Sequence, residues 1–325
     1  MKIKKEDSGQ SSVVADIGAT NIRLARLTAG GLPGPVVKFA TAEFSDFTAA
    51  LAQFLKLEGG PGPVRIALAV AGPVYGDEVK LTNHQWQFSI RRLTKILNLE
   101  QLEVVNDLEA LALVLPNLGP GDAVPVGAKA DNRSIKAPMA VLCPGTGLGI
   151  AGLVPVKNGW RPVATEGGHT SLAPLTAKEM AVWQFLQERY GRVSVERVLS
   201  GPGLVELYHA LASLEGREAC AVSPEDIVSL ALKGESPPAL ETVEIFCAWL
   251  GDVAGDAALM YVARGGVYLA GDILLAIFEI LKRSEFRHRF ENKGRGTGIV
   301  TTTPTFLISC ESPVLRGCAN LLNRS

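Results

Sequence analysis

Short apolar runs separated by amphipathic stretches dominate the first third of the chain. Runs of this kind predict strands at 12–16, 22–28, 64–70 and 102–106. Between them, Phe47, Ala50, Leu51, Phe54 and Leu55 recur at helical spacing, which predicts a helix from Ser45 to Lys56. A second helix starts at Ser89 as N-cap and runs through Arg92, Leu93 and Ile96. A third follows Asp107 and ends near Pro116, where proline cannot continue it. The segment Asn117 to Ala137 is rich in Gly, Pro and Asp and reads as a boundary.

Beyond the boundary a strand pair flanks the turn 144–149, and the pattern then becomes helical. Thr176-Ala177-Lys178-Glu179 has capping-box spacing and opens a helix carrying Met180, Trp183 and Leu186. Pro202 suits the first turn of a helix bearing Leu204, Leu207, Tyr208 and Leu211, and Ser223-Pro224-Glu225-Asp226 starts another. Pro238 to Arg264 reads as one long helix with Leu240, Val243, Phe246, Leu250, Val253, Ala257 and Tyr261 buried, ended by Gly265-Gly266. A strand at 267–270 leads into a helix reaching Arg283. A last strand, Thr305 to Ser309, precedes a helix capped by Ser312-Pro313. No internal sequence repeat is visible.

At 325 residues, two domains are expected. A hydrophobic content of 47% with 20% charged residues is that of a globular protein, and a net charge of −1 gives no electrostatic case for nucleic acid or an anionic membrane. Acids interrupt the basic stretch from Lys282 to Arg295, which reads as a solvated helix face. Five cysteines without Cys-x-x-Cys spacing suit a reducing compartment. The charged N-terminus has no apolar core and is not a secretory signal.

Two glycine-rich turns carry the chemistry. Asp16-Ile17-Gly18-Ala19-Thr20-Asn21 follows Val13-Val14-Ala15, and Pro144-Gly145-Thr146-Gly147-Leu148-Gly149 follows Met139 to Cys143. Glycines allow backbone N–H groups to converge on an anion, and threonine adds a hydroxyl donor. Asp16 would repel phosphate alone but suits phosphate with Mg²⁺. Asp107, after Asn106 at a strand end, could take a proton from an attacking hydroxyl, or could cap the next helix. Glu166-Gly167-Gly168-His169 could hold vicinal hydroxyls. Glu196 alone reads as an ordinary helix acid. Leu81-Thr82-Asn83-His84-Gln85-Trp86 offers either an aromatic wall for a sugar or a buried loop tryptophan. Gly147 to Gly152 matches G-x-G-x-x-G, but it continues into Leu153-Val154-Pro155, which does not start a helix; no Walker motif is present.

Together these motifs, with Ser194-Val195-Glu196-Arg197 through Gly203, resemble the bacterial glucokinase family from about residue 12 to the last helix. The ROK sugar kinases are less similar, because their cysteine-rich motif is missing. The resemblance implies an α/β, two-domain actin-like ATPase (ribonuclease H-like) fold with a cleft between a small α/β domain, 1–116 plus 311–325, and a larger α+β domain, 117–310. It implies phosphoryl transfer from ATP to the glucose 6-hydroxyl, with Asp107 as base and Asn106, Glu166, His169 and Glu196 on the sugar. Ala15, Asp16, Ile17, Gly18, Ala19 and Thr20 would line one phosphate turn. Gly145, Thr146 and Gly147 would line the other, joined by Gly271. Asp16 would serve Mg²⁺, directly or through water. A cytoplasmic homodimer without nucleic-acid or membrane partners is implied as well.

Three positions depart from the family pattern. Ala19 replaces a glycine, Asp272-Ile273-Leu274-Leu275 replaces a glycine-led turn, and Leu315-Arg316-Gly317-Cys318 has less glycine. The last two are expected at the adenosine end, where Asp272 would weaken ATP binding or cap a helix. They motivate an alternative, a sugar-binding regulator on a kinase scaffold.

Overall fold

The computed structural model describes residues 12–82, 84–127, 136–217 and 223–323. Asn83, Cys220 and part of the 117–137 boundary lie outside the described residues. The chain separates into two compact units, Met1–Asn117 with Glu311–Ser325, and Leu118–Cys310.

The first unit is built on strands β1 (Ser12–Ile17), β2 (Asn21–Arg26), β3 (Val37–Ala40), β4 (Arg65–Val70) and β8 (Gln101–Asn106) in the order β3-β2-β1-β4-β8. Helix α1 (Phe47–Glu58) follows β3; strands β5 (Val74–Tyr75), β6 (Glu78–Lys80) and β7 (Gln87–Ser89) form a small separate sheet after β4; then come α2 (Ile90–Ile96), β8 and α3 (Asp107–Val114). Ser89 caps α2 as its sequence predicts. Side-chain alternation splits β1 between two cores. Val13, Ala15 and Ile17 pack with Phe47, Leu51 and Phe54 of α1, whereas Val14 packs with Ala110 on the opposite face.

The second unit holds β9 (Ala123–Pro125), β10 (Met139–Pro144), β11 (Leu148–Val156) and β12 (Gly159–Ala164). Helices α4 (Ala177–Tyr190), α5 (Gly201–Leu214), α6 (Pro224–Lys233) and α7 (Pro237–Tyr261) follow. Then come β13 (Val267–Leu269), α8 (Asp272–Ala276), α9 (Phe278–Arg283), α10 (Phe286–Glu291), α11 (Thr297–Val300) and β14 (Thr305–Ile308). Capping boxes at Thr176/Glu179 and Ser223/Asp226 start α4 and α6. The chain then returns to the first unit as α12 (Pro313–Leu322), which buries Leu315, Cys318, Ala319 and Leu322 beside Val14 and Ala110.

The second sheet runs β12-β11-β10-β13-β14-β9. Its first five strands repeat the first sheet. In each, two antiparallel pairings (β3/β2 and β2/β1; β12/β11 and β11/β10) are followed by two parallel ones (β1/β4 and β4/β8; β10/β13 and β13/β14). The two glycine-rich turns sit at the same point of this plan, the β1–β2 and β10–β11 hairpins. The repeat is topological, and the chain carries no matching sequence repeat.

Three local expectations change. The long helix stops at Tyr261, and Val262, in the left-handed region at φ 48°, ends it ahead of the glycine pair. Ser312 occupies the N-cap of α12 without accepting a cap bond. The basic stretch is only partly solvated. Arg289 is buried, with ion pairs to Glu179 and Asp252, and Arg287 donates to the Thr303 carbonyl at 2.9 Å.

Candidate active site

In the first unit, parallel register brings the C-terminal ends of β1, β4 and β8 level: Ile17 pairs with Val70, and Val70 with Asn106. Ligand sites in α/β sheets form at such ends. Asn106 is the N-cap of α3. Its Oδ1 accepts from Leu108 N–H at 2.9 Å, its Nδ2 donates to Gly72 O at 3.1 Å, and Glu109 accepts from Asn106 N–H at 3.3 Å. The capping role considered for Asp107 therefore belongs mainly to Asn106. Asp107 is the first helical residue, and its Oδ1 accepts from Leu108 N–H at 3.0 Å. Burial, and secondarily the charge of Asp16, pushes the Asp107 carboxyl up to about 6.

Asp16 lies opposite Arg23 in the β1/β2 ladder, and the two form an ion pair at 3.0 Å. Burial pushes the Asp16 carboxyl up, against the pull of Arg23. Ala15 and Ile17 are fully buried in β1, paired with β2 on one side and β4 on the other. The turn is braced by Gly18 N–H to Asn21 O at 2.9 Å, Thr41 Oγ1 to Gly18 O at 2.8 Å and Thr41 N–H to Thr20 O at 2.9 Å. Ala19 is not among the residues with positive φ, so this position does not demand glycine. Two half-buried carboxylates, Asp16 and Asp107, lie close enough for the charge of one to raise the other, and such hard oxygen donors fit Mg²⁺. No group of three or more His, Cys, Asp or Glu able to hold a metal occurs among the described residues, so phosphate oxygens and water would have to complete its shell.

In the second unit, the 144–149 turn closes with Gly145 N–H on Gly147 O at 2.8 Å, and Gly201 N–H reaches Gly145 O at 2.8 Å. Gly271, just beyond the neighbouring parallel strand β13, has φ 112° and lies against the Pro144 carbonyl where a Cβ would collide. Both features require glycine. Gly271, rather than Asp272, is the N-cap of α8, which corrects the expectation that Asp272 caps the helix. Asp272 is an exposed acid in the first turn, favourably placed against the helix dipole.

The structure brings Glu166, His169 and Glu196 together. His169 Nε2 is 3.7 Å from Glu166 Oε2, and His169 Nδ1 is 3.9 Å from Glu196 Oε1. Glu196 also accepts from Leu148 N–H at 2.9 Å and lies over Gly147, so it touches both the second turn and the His169 knot. Gly168 is pressed against the Leu148 carbonyl where no Cβ fits, and its own carbonyl accepts from Glu196 N–H at 2.8 Å.

Trp86 is a buried core residue edge-on to His84, not an exposed wall. Gly147 to Gly152 leads into β11, so no helix N-terminus is available for a dinucleotide. Leu315 and Cys318 are buried in the first unit's core, with Cys318 Sγ 3.7 Å from the Ala15 carbonyl, so their side chains do not face a ligand. Sequence reading missed the bracing residues Arg23, Thr41, Thr165 and Arg192. Arg23 leaves a signal: extending the hairpin evenly from Ile17 and Ile22 sets it opposite Asp16.

The glucokinase family model matches residues 13–325. The chain is 44% identical to a glucokinase of Nitrobacter hamburgensis over 310 residues, 95% of this chain and 96% of the relative. It is 40% identical to one of Campylobacter jejuni subsp. doylei, covering 98% and 96%. A solved glucokinase from an Antarctic psychrotroph superposes with a TM-score of 0.87 at 36% identity, covering 97% of this chain and 99% of that one. The repeated hairpin-and-parallel-strand sheets are thus those of the actin-like ATPase fold, and the chain belongs to the glucokinase family.

Proposed function

We propose that this protein transfers the γ-phosphoryl group of ATP to the 6-hydroxyl of glucose, giving glucose 6-phosphate and ADP. The observation that carries the reading is Asp107. It is a half-buried carboxylate just past the end of β8, raised to about 6, with the neighbouring Asn106 doing most of the capping. A base titrating near 6 is ionised at neutral pH yet basic enough to accept a proton in the transition state.

Asp107 takes the proton of the 6-hydroxyl as that oxygen bonds to the γ-phosphorus. The bond from phosphorus to the oxygen bridging it to ADP breaks, and ADP leaves with the electron pair. Glu166, His169 and Glu196 hold sugar hydroxyls. Asn106, with one amide hydrogen committed to Gly72 O, offers the other. Gly18 and Gly145 N–H close the two turns, and the backbone N–H groups that follow them, Ala19 and Thr20 in the first turn and Thr146 and Gly147 in the second, hold phosphate oxygens, with Gly271 beside the second turn. Mg²⁺, served by Asp16, would neutralise charge on the transferring phosphoryl group.

The regulator alternative drew on the altered positions. Asp272 is an exposed first-turn acid and the Leu315 and Cys318 side chains are buried in the first unit's core, so neither position supplies an observation that favours the regulator. ATP-dependent formation of glucose 6-phosphate, followed by a coupled assay, tests it; glucose binding without turnover would restore the regulator. A homodimer and a cytoplasmic location belong to this proposal also. No described helix is long and apolar enough to cross a membrane. Light scattering after gel filtration checks the dimer.

Glu166→Ala is expected to weaken glucose and spare ATP. Losing a charged acceptor costs on the order of 1.5–3 kcal/mol, about a 10- to 150-fold rise in glucose Kd. Calorimetry showing equal losses for both ligands would remove Glu166 from the sugar site. Galactose should be a poor substrate, because an inverted hydroxyl leaves a polar partner unpaired.

A further inference from the structure

We infer that Thr165 is a positioning residue that fixes the sugar-binding turn, through one hydroxyl shared between β11 and the turn itself. The inference rests on reading Glu166 and His169 as sugar ligands. Thr165 directly precedes Glu166, at the end of β12. Its Oγ1 lies 2.7 Å from the Ile150 carbonyl of β11 and 3.2 Å from the Gly167 nitrogen.

A threonine hydroxyl has one proton and two lone pairs. The carbonyl of Ile150 can only accept, so the proton goes there. Gly167 N–H therefore donates to Thr165. The bonds pin the backbone on either side of Glu166, which itself is exposed and has no packing to hold it. Behind the turn there is space. A pocket of about 130 Å³ is lined by Ile150, Thr165, Gly167, Thr170 and Tyr261, among others. With a void on one side and solvent on the other, hydrogen bonds set where Glu166 points.

The rest of the turn is held by other groups. Thr170 Oγ1 donates to Gly167 O at 2.8 Å, Arg192 donates to His169 O at 2.7 Å, and Glu196 N–H donates to Gly168 O. These hold the His169 side. Thr165 is the hydroxyl that ties the Glu166 side to β11, and that division predicts a selective effect on sugar binding.

The test compares Thr165→Val with Thr165→Ser, using Glu166→Ala as reference. Valine keeps the shape and removes every bond of the hydroxyl. Because position 165 is exposed, the added methyl leaves the fold intact. The expected result is a roughly tenfold rise in glucose KM for Thr165→Val, with kcat and the KM for ATP within twofold of wild type. Serine restores the hydroxyl and should restore glucose KM to within twofold. A glucose KM within twofold of wild type in Thr165→Val, while Glu166→Ala raises it, would overturn the positioning role alone. An equal loss for ATP, or no rescue by serine, would overturn it too. If Glu166→Ala leaves glucose KM unchanged as well, the sugar-site reading itself fails.

Discussion

Asp107→Asn should give a protein that binds glucose, turns over 10²–10⁴-fold more slowly, as is roughly typical of lost general bases, and melts at a higher temperature than wild type. The amide keeps an oxygen to accept the Leu108 N–H bond that Asp107 accepts at 3.0 Å, but it cannot take the proton of the sugar hydroxyl. The stability gain follows from the raised carboxyl. Asp107 titrates near 6 when folded, against 3.8 as its ordinary value. Between those values the folded state binds more protons than the unfolded state, so stability falls as pH rises through the interval. Above pH 6 the buried charge is a standing cost, roughly 1–3 kcal/mol at about 1.4 kcal/mol per pK unit. Asparagine removes that cost. In wild type, kcat/KM for glucose should drop about tenfold per pH unit below 6 as the base is protonated, and the residual activity of Asp107→Asn should lack that limb. A variant keeping more than a tenth of wild-type kcat removes Asp107 as the base. A lower melting temperature at pH 7.5 would mean that its charge is stabilised in the fold after all.

The site was legible where short-range chemistry marks it. Ser89, Thr176/Glu179 and Ser223/Asp226 announce their helices because a cap is a contact within three residues. The two glycine-rich turns were readable because a hairpin between apolar runs is a local object. What could not be read lies at long range. The shared topology of the two sheets is a matter of strand order, which leaves no repeat in residue type. Asp272 looked like a cap because aspartate before an apolar run usually is one. The close approach of Gly271 to the Pro144 carbonyl, which moves the cap back one residue, depends on a strand more than a hundred positions earlier. Trp86 joined the core for the same kind of reason, since sequence shows its apolar ring but not the β6–β7 strands that enclose it.

Arg289 was the largest misreading, and it supports the largest stability prediction. Its neighbours Lys282, Arg283, Arg287, Lys293 and Arg295 made it look like part of a charged surface. In the fold it is buried between α4 and α7, donating to Glu179 at 2.7 and 3.0 Å and to Asp252 at 3.1 Å and through a second, shorter bond. Burial opposes the Arg289 charge, but its bonds to Glu179 and Asp252 hold its pKa above the ordinary value. The two acids respond differently. Burial raises both, yet at Glu179 the bonds from Arg289 and the Leu175 N–H prevail and leave it lowered, while at Asp252 burial prevails. Lys293 adds a second cation, 3.9 Å from Asp252. Arg289→Met keeps most of the volume and takes the guanidinium from two buried carboxylates, leaving Glu179 with only its capping bonds and Asp252 with Lys293 alone. Removing one partner of a buried ion group costs about 3–5 kcal/mol, so a loss of that size is expected in urea unfolding at pH 7.5. The deficit should depend on pH. Without the guanidinium both carboxyls are raised in the folded variant, so protonation on acidification relieves them. In wild type the stability from the lowered Glu179 is present above its unfolded pKa and lost as pH falls through its folded value. The gap between variant and wild type should therefore narrow steadily from pH 7.5 to 5. Adding Glu179→Gln and Asp252→Asn to Arg289→Met should recover much of the loss at neutral pH by removing the stranded charges. A single variant within 1 kcal/mol of wild type, by the roughly ±0.5 kcal/mol range of ordinary surface substitutions, would place Arg289 back on a solvated face. A deficit that stayed constant with pH would show that lost packing, rather than unpaired charge, is what the substitution costs.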